Sequence, residues 1–330
     1  MSEVNSHNQS TRDGDSQRTR SPNDWATSEQ RRYAQRQAEY ATHHDVAVES
    51  RVVDTETAGR VHYLVAGNPE GKPVVLLHGV STTAATWLEM VPALTDTYRV
   101  YIPDRPGRGL SVAPSYRGRD LRAFMVDYLL DMFDTLGIEQ PHVVGNSLGG
   151  QQAFLLAIDN DCVDRLCLVG GPGGISKEFS LMFRLLTVRG LNRLLFWLNS
   201  LGDPIESAHD QTEQLLVADD SGVSETFYKL LAASSEMPER SKSLRSLQSA
   251  QGSFGRMHPI FNLREEIVDI ERPTAFIWGS EDAFWPPDVG RPVAEQMSDA
   301  EFHKLAGHGH MPWLEPDKQT ETRVREFLKG

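Results

Sequence analysis

Short apolar runs alternate with longer amphipathic stretches along two parts of the chain. The predicted strands cover residues 46–53, 61–65, 73–78, 98–102, 142–144 and 166–169. Residues 84–94, 121–136 and 151–158 are predicted as helices, because their apolar positions recur at three- and four-residue spacing. This alternation predicts an α/β fold with a mainly parallel sheet, covered by helices on both faces and joined by right-handed crossovers.

The alternation stops after Gly174 and resumes only at residue 273. Residues 179–201 and 226–247 read as helices without strands between them, so residues 175–262 are predicted to form a helical cap. Further strands are predicted at residues 273–278 and 301–305, followed by a last helix at residues 319–328. The core of the fold is therefore expected to comprise residues 46–174 and 263–330.

The N-terminal part of the chain has a different pattern. Residues 1–45 are polar and mixed in charge, and they are predicted to form a flexible tail because they bury too little apolar surface to offset the entropy of ordering. The one helix that this tail allows, over residues 26–40, has a thin apolar face. No apolar block resembles a signal peptide, and no run approaches the roughly 18 residues of a membrane span. A cytoplasmic location is expected.

Charge and cysteine content exclude several classes of partner. The formal net charge of the 330 residues is −13, which disfavours binding to nucleic acid or to anionic membranes. Only two cysteines, Cys162 and Cys167, are present, too few for a disulfide framework. The expected partner is a small-molecule substrate, with no cofactor and no metal, and the oligomeric state is left open.

Residues 145–150, Gly-Asn-Ser-Leu-Gly-Gly, carry the strongest chemical signal. They stand where a buried strand ends and a helix begins, which is the pattern of a nucleophile elbow. The glycines on both sides leave room for a sharp turn that lifts the Ser147 hydroxyl clear of the sheet. Ser147 is therefore the predicted nucleophile, and the alternative is a tight turn with an idle serine.

A serine hydroxyl needs a base and an acid, and both follow Ser147 in the chain. Asp282 comes directly after a predicted strand and is the expected acid, with Glu281 as the rival. His310, on the loop before the last helix, is the expected base, with His308 as the rival. The spacing favours His310 over His308, and Asp282 is preferred to Glu281.

Two backbone N–H groups complete the predicted site. An oxyanion needs two donors, and in this architecture they belong to Leu148, the residue after the serine, and to Val80, the residue after His78-Gly79. His78 itself is expected to brace this loop by hydrogen bonds.

Five motifs in this order resemble the α/β-hydrolase family, in its branch of serine esterases and C–C hydrolases. The motifs are His78-Gly79, Asp104 to Ser111, Gly145 to Gly150, Gly279 to Asp282, and Gly309-His310. The resemblance spans roughly residues 46–329 and implies an eight-stranded, mostly parallel sheet with a helical cap inserted after the sixth strand. Within this resemblance, the Asp104 to Ser111 turn is structural.

Three activities remain open at this point. The leading interpretation is a serine hydrolase that acts through an acyl-enzyme on a small, largely apolar ester or lactone. Meta-cleavage C–C hydrolases also carry Gly-Asn-Ser-x-Gly-Gly, but their oxyanion loop is usually richer in glycine, and a tryptophan often follows their histidine where this chain has Met311. A non-catalytic binding protein is the third possibility. Three arginines of the predicted cap, Arg184, Arg189 and Arg193, are read as surface charges in preference to ligands for an acidic substrate.

Overall fold

The computed structural model describes residues 18–176, 184, 188, 202–253 and 256–330. Eight strands form one sheet in the order β1-β2-β4-β3-β5-β6-β9-β10. They are β1 (Val48–Thr55), β2 (Gly59–Gly67), β3 (Lys72–Leu77), β4 (Tyr98–Pro103), β5 (His142–Gly145), β6 (Leu166–Val169), β9 (Thr274–Gly279) and β10 (Ala300–Leu305). Strand β2 is antiparallel to both β1 and β4, and every other pairing is parallel. The predicted eight-stranded, mostly parallel sheet is confirmed.

Helices lie before, between and after these strands. They are α1 (Ser28–His43), α2 (Leu121–Leu136), α3 (Leu148–Asp159), α4 (Pro204–Gln211), α5 (Glu225–Ser235), α6 (Arg240–Gln251), α7 (Arg264–Ile267), α8 (Arg291–Ala294) and α9 (Gln319–Lys329). Alternate residues of β3 enter different cores: Val74 and Leu76 pack on one face of the sheet, and Val75 and Leu77 on the other. Both faces of the sheet are therefore covered, as the apolar runs predict.

One predicted helix of the core is wrong. Residues 84–94 form two short 3-10 turns, Ala84–Trp87 and Val91–Ala93, in place of a continuous α-helix. Pro92 lacks a backbone N–H and so cannot extend a helix through this position. The apolar periodicity arises here because the first turn and Val91 of the second are buried.

The one helix allowed in the tail predicted for residues 1–45, over residues 26–40, is present as α1 (Ser28–His43), while residues 1–17 lie outside the described part. Helix α1 begins at a capping box formed by Thr27 and Gln30. Its thin apolar face consists largely of Tyr33 and Tyr40, both fully buried. The Tyr40 hydroxyl donates to Glu89 at 2.8 Å, and its ring lies 5.8 Å from that of Phe227 in α5. Two large buried aromatic rings thus stabilise α1, although most residues of this helix are polar.

The insertion between β6 and β9 consists, where it is described, of helices joined by loops, apart from a small hairpin. The helix predicted at residues 226–247 is two helices, α5 and α6, and α6 is followed by the two-residue strands β7 (Gly252–Ser253) and β8 (Arg256–Met257). The helix predicted at residues 179–201 lies outside the described residues, except at two isolated positions. In the parts of the chain that are described, no helix has the length and apolar character needed to cross a bilayer.

Candidate active site

Ser147 occupies a sharp turn between β5 and α3. Its φ of 54° and ψ of −115° are strained values for a residue with a side chain. A Cβ atom added to Gly145 would lie 2.6 Å from the carbonyl oxygen of Gly149, and one added to Gly149 would collide with the Leu77 carbonyl. The glycines that flank the serine are required by backbone contacts at the turn, which has the geometry expected of a nucleophile elbow.

Asp282 and His310 are brought together from different loops. The Nδ1 atom of His310 lies 2.8 Å from Oδ2 of Asp282, and both side chains are buried. The carboxylate also accepts hydrogen bonds from the backbone N–H groups of Gly171, Phe284 and Trp285, at 2.8, 2.9 and 3.2 Å. This arrangement fixes the orientation of the imidazole.

The charge of Asp282 is held in place by its surroundings. Burial alone would raise the pKa of this carboxyl, but the adjacent His310 and the backbone N–H donors outweigh burial and lower the pKa below its ordinary value. The carboxylate is therefore ionised at neutral pH.

The rival residues have other partners. Glu281 is exposed, and its carboxylate accepts from the Ser280 hydroxyl beside it at 3.1 Å. His308 is buried, but its Nδ1 faces the Ala306 carbonyl and its Nε2 lies 3.1 Å from Asp317. Neither residue takes part in the Asp282–His310 contact.

Asn146 connects the elbow to the histidine loop, a link that sequence reasoning missed. Its Nδ2 donates to the carbonyl oxygens of Val169 and His310, at 2.7 and 3.0 Å. The residue is almost fully buried. A buried amide beside the nucleophile was the available signal, because such a group needs partners. Asn146 holds the backbone of the predicted base at a fixed distance from the predicted nucleophile.

His78 orients the peptide that carries the predicted Val80 donor. The backbone N–H of Arg105 donates to Nε2 of His78 at 3.0 Å, so the ring proton is on Nδ1, which donates to the Gly79 carbonyl at 2.8 Å. In a trans peptide the carbonyl and the N–H point in opposite directions. Because the Gly79 carbonyl is anchored, the direction of the Val80 N–H is set as well.

Both predicted oxyanion donors border the nucleophile. A Cβ atom on Gly79 would be 3.5 Å from the Ser147 Cβ, so the His78-Gly79-Val80 loop passes directly beside the serine. Leu148 is the first residue of α3, and its N–H has no acceptor within the helix. A helix N-terminus also favours negative charge.

The turn at Asp104 serves the backbone around this site. Its buried carboxylate accepts from the N–H groups of Ala84 and Leu110, at 2.8 and 3.0 Å, and contacts Nδ1 of His62 at 2.6 Å. These contacts agree with the structural role that the resemblance implies for this turn.

A surface cleft of about 400 Å³ lies elsewhere in the molecule. Its lining includes Arg165, Thr274, Ala300 and Phe327. Thr274 and Ala300 begin their strands, whereas the candidate site is at the opposite, carboxyl edge of the sheet. In the described ranges, no three His, Cys, Asp or Glu side chains converge as a metal site. The absence of a metal stays a prediction.

The fold and this arrangement of side chains define a hydrolase. The family model of the alpha/beta hydrolase family matches residues 74–322, so the chain belongs to that family.

Several relatives are named as hydrolases of dienoates. The chain is 30% identical to a 2-hydroxy-6-oxononadienedioate/2-hydroxy-6-oxononatrienedioate hydrolase of Burkholderia vietnamiensis, covering 84% of this chain and 94% of the relative. It is 31% identical to the 2-hydroxy-6-oxo-6-phenylhexa-2,4-dienoate hydrolase of Comamonas testosteroni, covering 82% of this chain and 91% of the relative.

Among solved structures, the carboxylesterase CesB of Bacillus subtilis matches with a TM-score of 0.73 at 19% identity, over 92% of this chain and 99% of the other. At such identity the likeness shows the fold alone.

Proposed function

We propose that this hydrolase cleaves a carbon–carbon bond next to a ketone in an acidic dienoate of the 2-hydroxy-6-oxo type. The observation that carries the proposal is the similarity to dienoate hydrolases over more than four-fifths of the chain. The Gly-Asn-Ser-Leu-Gly-Gly elbow, shared with that class, supports it. The ranking made from sequence alone, with an ester or lactone first, is thereby reversed.

In the proposed mechanism, Ser147 is the nucleophile, His310 the base and Asp282 the acid that orients the base. The Nδ1–H of His310 donates a hydrogen bond to Asp282, which leaves Nε2 to take the proton of the serine hydroxyl. The N–H groups of Val80 and Leu148 would stabilise the oxyanion formed at the attacked carbonyl. The carboxylate of Asp282 stays ionised and stabilises the imidazolium.

The chemistry of such a substrate explains how the carbon–carbon bond breaks. Tautomerisation of the 2-hydroxydiene to the 2-oxo form places a CH₂ group at C5, beside the C6 ketone. Attack of the Ser147 oxygen on C6 followed by cleavage of C5–C6 releases a carbanion that is stabilised through the C3–C4 double bond and the 2-oxo group. His310 returns a proton to this fragment, and water then releases the C6 acyl group from Ser147 as a carboxylic acid.

The ester reaction predicted first uses the same acyl transfer to serine. Simple p-nitrophenyl esters are therefore useful probes of Ser147 whichever natural substrate the protein takes. A non-catalytic binding role is disfavoured by the hydrolase relatives and by the strained backbone of Ser147.

The test is direct comparison of substrates. Purified protein is incubated with 2-hydroxy-6-oxo-6-phenylhexa-2,4-dienoate and with 2-hydroxy-6-oxononadienedioate, and loss of the conjugated chromophore and formation of both acid products are measured. We expect cleavage of at least one dienoate with kcat/KM above that for p-nitrophenyl acetate, and none in Ser147→Ala. Ester turnover without any dienoate cleavage would return the ester interpretation to first place.

A further inference from the structure

Three arginines surround the loop that carries the predicted Val80 donor. Nη2 of Arg105 donates to the Val80 carbonyl at 2.9 Å, and Nη2 of Arg240, at the start of α6, donates to the Ser81 carbonyl at 2.7 Å. Arg108 lies close enough to Arg105, Arg240 and His78 for their charges to interact. The core and the insertion after β6 thus place a cluster of positive charge, which we call the arginine cluster, behind the oxyanion loop.

Arg108 is the member of the arginine cluster whose terminal nitrogens have no partner in the described part of the chain. Only 2% of the residue is exposed, yet neither of its terminal nitrogens has a hydrogen-bond acceptor among the residues that the structure describes. The Nε of Arg105 and the hydroxyl of Thr82 in the adjoining loop also lack partners within that part of the chain. Buried polar groups normally find partners, so unsatisfied donors that converge on one loop indicate a place for a ligand.

The charge balance supports the same conclusion. The acid beside Arg108, Asp104, is already occupied by His62 and by the backbone N–H groups of Ala84 and Leu110. Burial lowers the pKa of Arg108 well below its ordinary value, and the charges of Arg240 and Arg105 lower it further. Three cations in a protein of net charge −13 therefore share a region with no free carboxylate among their described neighbours.

We propose that the arginine cluster is an anion-binding subsite in which Arg108 receives a carboxylate of the substrate. The guanidinium presents paired N–H donors that match a carboxylate in a planar, bidentate contact. In naming a substrate carboxylate, the inference rests on the proposed function, and the dienedioates of several relatives carry two such groups. Arg105 and Arg240 of the cluster bond the Val80 and Ser81 carbonyls, so the subsite adjoins the oxyanion loop and would hold an acidic chain end while the carbonyl is at Ser147.

The test uses two esters of equal chain length that differ only in charge. Mono-p-nitrophenyl glutarate ends in a carboxylate, and p-nitrophenyl valerate ends in a methyl group. Arg108→Met keeps the apolar stem and removes an unpaired buried charge, so it is expected to fold. Arg117→Met, at an exposed position of the same region, is the matched control.

We expect the wild type and Arg117→Met to prefer the glutarate ester. In Arg108→Met, the KM for the glutarate ester should rise by roughly tenfold or more, while the KM for the valerate ester should change by less than about twofold. Thermal unfolding with glutarate or inorganic phosphate, at constant ionic strength, measures binding without turnover. Stabilisation by glutarate above that by phosphate, lost in Arg108→Met, supports a carboxylate subsite.

Equal effects on both esters, or glutarate stabilisation that persists in Arg108→Met, overturn the proposal. Its failure is separable from that of the proposed function. If dienoates are not cleaved but the charge preference depends on Arg108, the anion subsite stands without the C–C hydrolase. If dienoates are cleaved by Arg108→Met with an unchanged KM, only the subsite is wrong.

Discussion

Two histidine–aspartate pairs of this chain make almost the same contact. In both, Nδ1 of the histidine meets Oδ2 of a buried carboxylate, at 2.8 Å for His310–Asp282 and 2.6 Å for His62–Asp104. The second pair even extends to a serine, because Nε2 of His62 lies 2.9 Å from the Ser50 hydroxyl. A hydrogen-bonded Ser-His-Asp chain is therefore present at a place where the architecture gives no reason for catalysis.

The surroundings of Ser50 differ from those of Ser147. Ser50 is in the middle of β1 in regular strand conformation, whereas Ser147 has a strained backbone at the N-terminus of α3, beside the Gly79 loop. The N-terminal segment covers Ser50 and His62: the Arg20 N–H donates to the Ser50 carbonyl, and Trp25 stacks edge-on against His62 at 5.5 Å. Backbone strain at the serine and donors for an oxyanion, more than the contacts of a histidine with an aspartate, distinguish a site for chemistry from a structural network.

The largest expected difference is in turnover. Ser147→Ala should lower kcat by about 10⁴-fold or more, since it removes the proposed nucleophile, whereas Ser50→Ala should leave kcat within about threefold. Steady-state kinetics on the dienoate or on p-nitrophenyl acetate provides the measurement. Mass spectrometry after exposure to a fluorophosphonate should find one adduct, on Ser147. An adduct on Ser50 would contradict the distinction drawn here.

Neutralising Asp282 should mainly lower kcat, whereas neutralising Asp104 should mainly lower the free energy of unfolding. Asp282→Asn is expected to reduce kcat by about 10⁴-fold, because the imidazole loses its orienting charge. Asp104→Asn should instead lower the free energy of unfolding by about 3 kcal/mol, because it breaks a buried pair that also holds two loop N–H groups, and its kcat in the folded protein should fall by less than about tenfold.

Urea unfolding and kinetics on the same samples test this contrast. The distinction between the two acids is contradicted if Asp104→Asn is as inactive as Asp282→Asn while its free energy of unfolding equals that of the wild type.

Sequence patterns predict the sheet and the candidate triad because both depend on local signals. Strands of the core are short apolar runs, and the elbow shows its glycines within six residues. Chain order then suggests Asp282 and His310, and the structure places them in contact, although their roles stay predictions.

What sequence reasoning missed depends on contacts between distant segments. Arg105, Arg108 and Arg240 meet only because α6 folds back on the loop after β4, and nothing in a charged residue's neighbours in sequence reveals its burial. For the same reason, the polar sequence around Tyr33 and Tyr40 does not show that these two side chains are buried and stabilise a helix.

A third, smaller effect is expected in the pH dependence of stability. Burial lowers the pKa of His78 to about 3, with the Arg105 charge adding to the effect, so His78 is neutral when folded and becomes protonated in the unfolded chain below about 6.5. The unfolded state then binds more protons, and stability falls as pH drops, by about 1.4 kcal/mol per pH unit for one such group.

His78→Gln can keep both hydrogen bonds without titrating, so urea unfolding between pH 6 and pH 4 should show a shallower loss of stability than in the wild type. His44 and His142, whose pKa values burial also lowers to about 4, contribute equally in both proteins. An unchanged slope would mean that His78 is protonated in the folded protein.

The smallest effect concerns the serine of the structural network. Ser50→Ala removes one hydrogen bond to His62 from a half-buried position, which should cost about 1 kcal/mol of unfolding free energy. Because Asp104 keeps its contact with His62 and its two backbone donors, the loop beside the oxyanion donors should stay in place and KM should not change. Urea unfolding gives the first quantity and dienoate kinetics the second. A changed KM without a change in stability would mean that the Ser50–His62–Asp104 network affects the active site through the Asp104 turn. The network and the candidate active site would then be coupled.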